Sequence, residues 1–264
     1  MKIMLYHIDS FTDSLFKGNP AVVCPLDRWL SDNHMQKIAN ENCVSETAFF
    51  VKTDQNYELR WFTPEKEIDL CGHATLAAAY VIVNLIEQGR TNIVFQSKSG
   101  PLVVDKIGDR IRMKFPIRQG EEMEAPPSLL NAFSWTPKVV LKSRDYMLVF
   151  EHEEQIRTMK VDLVALQQID ALGFIVTAKG DQEDFVLRFF APSVGVNEDP
   201  VTGSAFCTAV PYWASVLQKT SFVSKQLSKR TGIVYTSLEN DSVWISGHAV
   251  LYSEGTMHLP EIYK

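Results

Sequence analysis

Glu46, Asp69, Cys71, His73, Asp199 and Ser204 are the side chains whose types and spacing could do chemistry. Glu46 stands in Asn42-Cys-Val-Ser-Glu46-Thr-Ala-Phe-Phe-Val51, a carboxylate at the mouth of an apolar strand. Semi-burial there disfavours the charged form and suits the group to proton transfer, although a surface glutamate at a strand start would look the same. Cys71 and His73 flank Gly72 at the head of an alanine-rich segment. The first N–H groups of a helix lack backbone partners and carry the positive end of its dipole, so a helix start can hold a carboxylate or a developing oxyanion. The same field is expected to hold His73 neutral, which suits it to relaying or orienting a proton near pH 7. The alternative for His73 is a plain hydrogen-bonding role.

A second copy of this arrangement lies downstream. Arg60-Trp-Phe-Thr-Pro64 is matched by Arg188-Phe-Phe-Ala-Pro192. Each is followed by a glutamate and, five residues later, by a glycine that opens a helix: Glu67…Gly72-His-Ala and Glu198…Gly203-Ser-Ala. Both halves of the match recur in one order at nearly one spacing, which reads as an internal duplication of strand–loop–helix units. Gly72 and Gly203 then either admit a ligand close to the backbone or merely permit tight strand–helix packing. Asp69, Cys71 and His73 include zinc-ligand types, but Asp199, Thr202 and Ser204 offer no soft ligand, so no metal is expected. A two-thiol racemase would need a thiol before each glycine, and Thr202 stands where the second would be, with Cys207 about one turn further in. Cys71 therefore reads as a packed small residue.

The elements that must position these groups are mostly strands, read from short β-branched and aromatic runs between Gly, Pro, Asn and Asp. They are predicted at 3–9, 21–25, 47–52, 57–62, 91–97, 102–107 and 110–115, then at 139–141, 146–150, 173–177, 185–190, 232–236, 242–246 and 249–253. Helices are predicted from the Ser31 cap to Asn40, over 72–88 with Gly89 as its C-terminal cap, near 161–170, and from Gly203 to about Leu217. Residues 119–134, acidic and with a Pro-Pro pair, read as a linker between halves at 1–118 and 135–264.

Composition narrows the class. Lys and Arg number 26 against 32 Asp and Glu, a net charge of −6 with no long basic run, which argues against nucleic-acid binding. Four widely spaced cysteines without a C-x-x-C pair argue against a disulfide framework or zinc ribbon. The N-terminus reaches Asp9 too soon for a signal peptide, and the apolar run 77–86 falls short of the ~20 residues of a membrane span. A cytoplasmic protein is expected.

The motifs in order resemble those of the phenazine-biosynthesis isomerase (PhzF-like) family. They are Phe11 with Gly18-Asn19-Pro20-Ala21-Val22-Val23, Ser45-Glu46-Thr47-Ala48-Phe49, Phe62-Thr63-Pro64, Asp69-Leu-Cys-Gly-His-Ala-Thr75, Phe190-Ala-Pro192 and Glu198-Asp-Pro-Val-Thr-Gly-Ser-Ala205. The closing Ser246-Gly-His-Ala-Val250 with Glu254-Gly255 fits the same pattern. The family's late Gln-Gly and Gly-Arg pair is replaced here by Gln226-Leu-Ser-Lys-Arg230-Thr-Gly232.

The resemblance implies an α/β (α+β) fold of two pseudo-symmetric, diaminopimelate-epimerase-like halves. Each half would be a β-barrel-like sheet around a central helix, with the active site in the cleft between the halves, no cofactor and a homodimer. It implies that Glu46 is the proton-shuttling acid/base, supported by His73, Asp199 and Ser204, with Gly72 and Gly203 as backbone donors and Asn19 helping to hold substrate. The activity so implied is a cofactor-independent isomerase of a small carboxylate-bearing molecule. Its rivals are an amino-acid racemase or epimerase of the same superfamily and a non-catalytic binding protein on this scaffold.

Overall fold

A computed structural model describes residues 1–260, folded as two compact units. The first comprises Met1–Lys114 and the described residues from Ser246 to 260; the second is Phe115–Ile245. This corrects the expected boundaries. The strand Ala249–His258 pairs antiparallel with Lys2–Ser10 along its whole length, so the C-terminal segment belongs to the first unit. That ladder satisfies backbone groups that would otherwise line an open sheet edge. The supposed linker is folded as well. Glu121–Glu122 pairs with Val139–Lys142, and the short helix Pro127–Asn131 buries Leu129 completely in the second unit's core. Residues 261–264, the tail of the expected second half, lie outside the described residues.

In the first unit, Asn19–Leu26 lies parallel to Glu46–Lys52 across the helix Asp32–Asn42. Glu46–Lys52 turns back antiparallel to Tyr57–Phe62, which is parallel to Asn92–Ser97 across the helix Gly72–Val81. The second unit repeats that order. Tyr146–Val149 is parallel to Phe174–Lys179, which is antiparallel to Phe185–Phe190, which is parallel to Ser221–Gln226 across the helix Gly203–Leu217. The sequence duplication is thus a duplication of strand order.

Each duplicated helix is the buried centre of its unit. In Gly72–Val81 every residue but Gly72 and Tyr80 is buried, and the helix packs on Lys2–Ser10, Asn19–Leu26 and Glu46–Lys52. A helix apolar on every side has no face for water and must lie inside a sheet's curve. Gly203–Leu217 buries Ala205, Phe206, Cys207, Thr208, Ala209, Val210 and Trp213. No helix among the described residues is long and apolar enough to cross a membrane.

Three local differences from the sequence reading have physical causes. The helix predicted over 72–88 leaves α geometry after Val81 and continues as one π turn, Ile82–Ile86, closed by Glu87 N–H donating to the Ile82 carbonyl. Helix Glu153–Thr158 was not predicted; it is short and starts at a cap, His152, that is not a usual capping type. Strand Ser221–Gln226 was missed because polar Ser224 and Gln226 occupy buried positions where alternation calls for apolar residues.

Candidate active site

The first unit gathers Asn19, Glu46, Gly72 and His73, together with Cys71. Asn19 and Glu46 begin neighbouring parallel strands, with Ala21 paired to Glu46, so both side chains sit at one end of the sheet. Gly18 makes this possible. Its φ is +66°, and a Cβ there would come within 2.1 Å of the Ser10 carbonyl oxygen, so the turn delivering Asn19 accepts no side chain. Cys71, extended at φ −143°, is the N-cap of the buried helix and makes no side-chain cap. Ser10 Oγ donates to the His73 carbonyl at 2.8 Å, tying the helix start to the first strand.

His73 is the hub. Its Nε2 lies 2.8 Å from Glu46 Oε2, close enough for an ion pair but not aligned for a straight hydrogen bond. Its Nδ1 lies 3.1 Å from Asn19 Nδ2 and 3.5 Å from Cys71 Sγ. In the neutral ring, Nδ1 accepts from the Asn19 amide and the proton sits on Nε2, toward Glu46. Burial pulls the His73 pKa down, but Cys71 and then Glu46 beside the ring outweigh it and raise it well above its ordinary value. Burial, and then Glu46 itself, push the Cys71 thiol up to about 11, so it stays uncharged near neutral pH. The neutral bias expected from the helix start is thus opposed by the groups beside the ring, Cys71 and the Glu46 carboxylate at 2.8 Å.

Among the described residues, Glu46, Cys71 and His73 are also the group that could hold a metal ion, their ligand atoms lying within 4.8 Å of one another. Asp69, expected near them, is not of that group; its carbonyl accepts from Ser99 Oγ at 2.9 Å. A metal would have to take His73 Nε2 from Glu46 or Nδ1 from Asn19 and strip the proton from a deeply buried thiol.

The second unit gathers Asp199, Gly203 and Ser204. Thr202, extended before Gly203, donates its hydroxyl to Asp199 Oδ2, while its N–H donates to Gln226 Oε1 at 2.8 Å. Gln226 Nε2 in turn donates to the Asp199 carbonyl at 2.7 Å, so one fully buried amide spans the loop and the helix start. Ser204 Oγ accepts from Arg144 Nη2 at 3.0 Å. Arg144 escaped the sequence reading, lying 60 residues before its partner. Gln226 entered it only in the stretch that replaces the family's late Gln-Gly and Gly-Arg pair, with no role assigned.

The duplicated arginine and glutamate prove to be a clamp in both units. Arg60 Nε and Nη2 hold the two Glu67 oxygens at 2.7 and 2.9 Å, and Arg188 holds those of Glu198 at 2.6 and 3.0 Å. Each guanidinium also lies over an aromatic ring of its own motif, Phe62 at 5.3 Å and Phe190 at 5.0 Å. A bidentate pair stacked on a ring fixes direction as well as distance, so each clamp sets the loop that leads into its helix start.

The profile of the family described as phenazine biosynthesis-like protein matches residues 8–255. The chain belongs to that family. An uncharacterised isomerase of Pseudomonas aeruginosa is 45% identical to it over 259 residues, covering 98% of this chain and all of that protein. The crystal structure of a PhzF family phenazine biosynthesis protein from Enterococcus faecalis superposes with a TM-score of 0.96 at 42% identity, covering 98% of this chain and all of the other. A hydroxyproline epimerase from Agrobacterium vitis, 9% identical, shares the fold with a TM-score of 0.61 over 97% of this chain and 92% of its own. The expected epimerase-like α/β fold is therefore that of this phenazine biosynthesis-like protein.

Proposed function

We propose that the chain is a cofactor-independent isomerase that moves a proton between carbons of a small, carboxylate-bearing substrate, with Glu46 as the general acid/base. The observation that carries this reading is the Glu46 carboxylate held 2.8 Å from His73 Nε2 at the head of a buried helix. Glu46 would take the proton from one carbon and return it to another. His73, steadied by Asn19 and by Ser10 on its carbonyl, would orient the carboxylate and share its charge. In each unit taken by itself, the N–H groups at the helix start, Gly72 or Gly203, suit a substrate carboxylate or a developing oxyanion. In the second unit, Asp199 and Ser204 would be substrate-positioning residues. Membership of the family and the name of the 45% identical isomerase support this class of reaction.

A thiol-based racemisation is less well supported. Thr202 occupies the position of the second thiol, and burial pushes both Cys71 and Cys207 up to about 11. The test is proton NMR in D₂O with dihydro-hydroxyanthranilate and a panel of amino and hydroxy acids. Deuterium incorporation or isomerisation by the wild type should fall ~10²-fold or more in Glu46→Gln. Turnover within about threefold of the wild type would remove Glu46 from the acid/base role.

A further inference from the structure

Two of the residues that hold His73 stand at the two ends of one strained loop in the first unit. Ser10 Oγ donates to the His73 carbonyl at 2.8 Å, and Asn19 Nδ2 lies 3.1 Å from His73 Nδ1. Between them the chain passes through three left-handed residues, Phe11 at φ +63°, Phe16 at +69° and Gly18 at +66°. Glycine adopts that geometry freely, whereas a bulky side chain there is strained. Such strain persists only where the surroundings over-determine it, and it gathers at functional sites.

The surroundings of Phe11 are of that kind. Its ring is fully buried, and the N–H groups of Phe11 and Thr12 both donate to the His248 carbonyl, at 2.8 and 3.3 Å. Beside that carbonyl, Gly247 leaves the ring its place. A Cβ on Gly247 would lie 2.5 Å from Phe11 Cδ1 and 3.2 Å from Phe11 Cα. Further along, Ser14 N–H donates to Thr12 Oγ1 and Phe16 N–H to Asp9 Oδ2, each at 3.0 Å. The loop closes where Gly18 rests on the Ser10 carbonyl, directly before Asn19. Residues 13–17 are exposed, so a plain connection between two strands would not call for a buried left-handed phenylalanine at its start.

We propose that Phe11, seated against Gly247 and held by the His248 carbonyl, is the positioning residue that sets where Asn19 meets His73. The shape of residues 11–18 thereby aims the imidazole that lies beside Glu46. The consequence for turnover rests on the proposed function, but the Asn19–His73 contact is read without substrate.

The test is ¹⁵N NMR of the His73 ring in the full-length protein across a pH series, with Gly247→Ala as the main variant. The added methyl must displace Phe11 while leaving Asn19, Glu46 and Cys71 in place as residues. An N–H given to Nδ1 favours the neutral ring, so loosening it should move the Nδ1 signal and raise the His73 midpoint by about half a pH unit. Asn19→Ala should do the same, and Gly247→Ala added to it should change little more, because both act through one contact. Gly255→Ala is the control: its Cβ would meet Leu5 at an ordinary 3.7 Å, and the His73 signals should stay in place. Thr12→Val, nearly isosteric, loosens the loop without added volume and should move the signals in the same direction by less; it carries the test if Gly247→Ala fails to fold. Turnover of Gly247→Ala should fall about tenfold with KM within about twofold. An unmoved ring in Gly247→Ala and Thr12→Val, or full additivity with Asn19→Ala, overturns the proposal. Loss of turnover in Glu46→Gln is a separate readout, so the acid/base reading and the Phe11 assignment can fail independently.

Discussion

The Gly72 and Gly203 helix starts share a scaffold and differ in chemistry. Both follow a strand ending in Arg-aromatic-aromatic-small-Pro, both have a bidentate Arg–Glu clamp, and both open a helix buried at the centre of its unit. At the first, His73 joins a carboxylate, an amide and a thiol: a set that can accept, hold and release protons. At the second, Thr202 and Ser204 take part in a fixed web with Asp199, Gln226 and Arg144. The two copies share what directs the backbone and differ in the side chains they gather, titratable groups around His73 and a hydrogen-bonded polar web around Thr202. The clamps survive in both copies because they serve the fold.

The comparison breaks most sharply on turnover. Glu46→Gln should cost ~10²-fold or more, whereas Asp199→Asn, which can still accept from Thr202, should cost roughly tenfold. Equal losses in steady-state rates would mean that the two starts share the proton chemistry. On stability the order reverses. Gln226→Leu strands the Thr202 N–H and the Asp199 carbonyl in a buried place and should destabilise by about 2–4 kcal/mol in chemical denaturation. Ser10→Ala removes a single bond to the His73 carbonyl and should cost about 1 kcal/mol.

Titration sharpens the first start alone. His73 is raised in the folded state, so the stability its proton contributes is complete below its unfolded value of about 6.5 and is lost as pH rises through the higher folded value. NMR of the His73 ring should show that elevated titration in the wild type and a clear fall in Glu46→Gln. An unchanged midpoint would separate Glu46 from His73. The smallest effect concerns thiols. Exposed Cys43 should react with iodoacetamide on the native protein, while buried Cys71 and Cys207 react measurably only on unfolding, as read by mass spectrometry.

Much of this was written along the chain. Alternating apolar runs placed Tyr57–Phe62 and Phe185–Phe190 to the residue, and the Gly203–Leu217 helix likewise, because local periodicity and one long buried side leave little choice of element. Ordered motifs placed Glu46, His73, Asn19, Asp199 and Ser204 at two helix starts and strand ends, since glycine positions and strand termini are local signals. Other features were not local. The return of Ala249–His258 to pair with Lys2–Ser10 is a contact across the whole chain that no window of sequence encodes. Gln226 hid in a strand because its polarity is satisfied only by groups more than 20 residues away. The neutral bias expected of His73 came from its helix position alone. Tertiary structure adds a buried thiol and a carboxylate from another strand at 2.8 Å, and both raise the pKa of the ring.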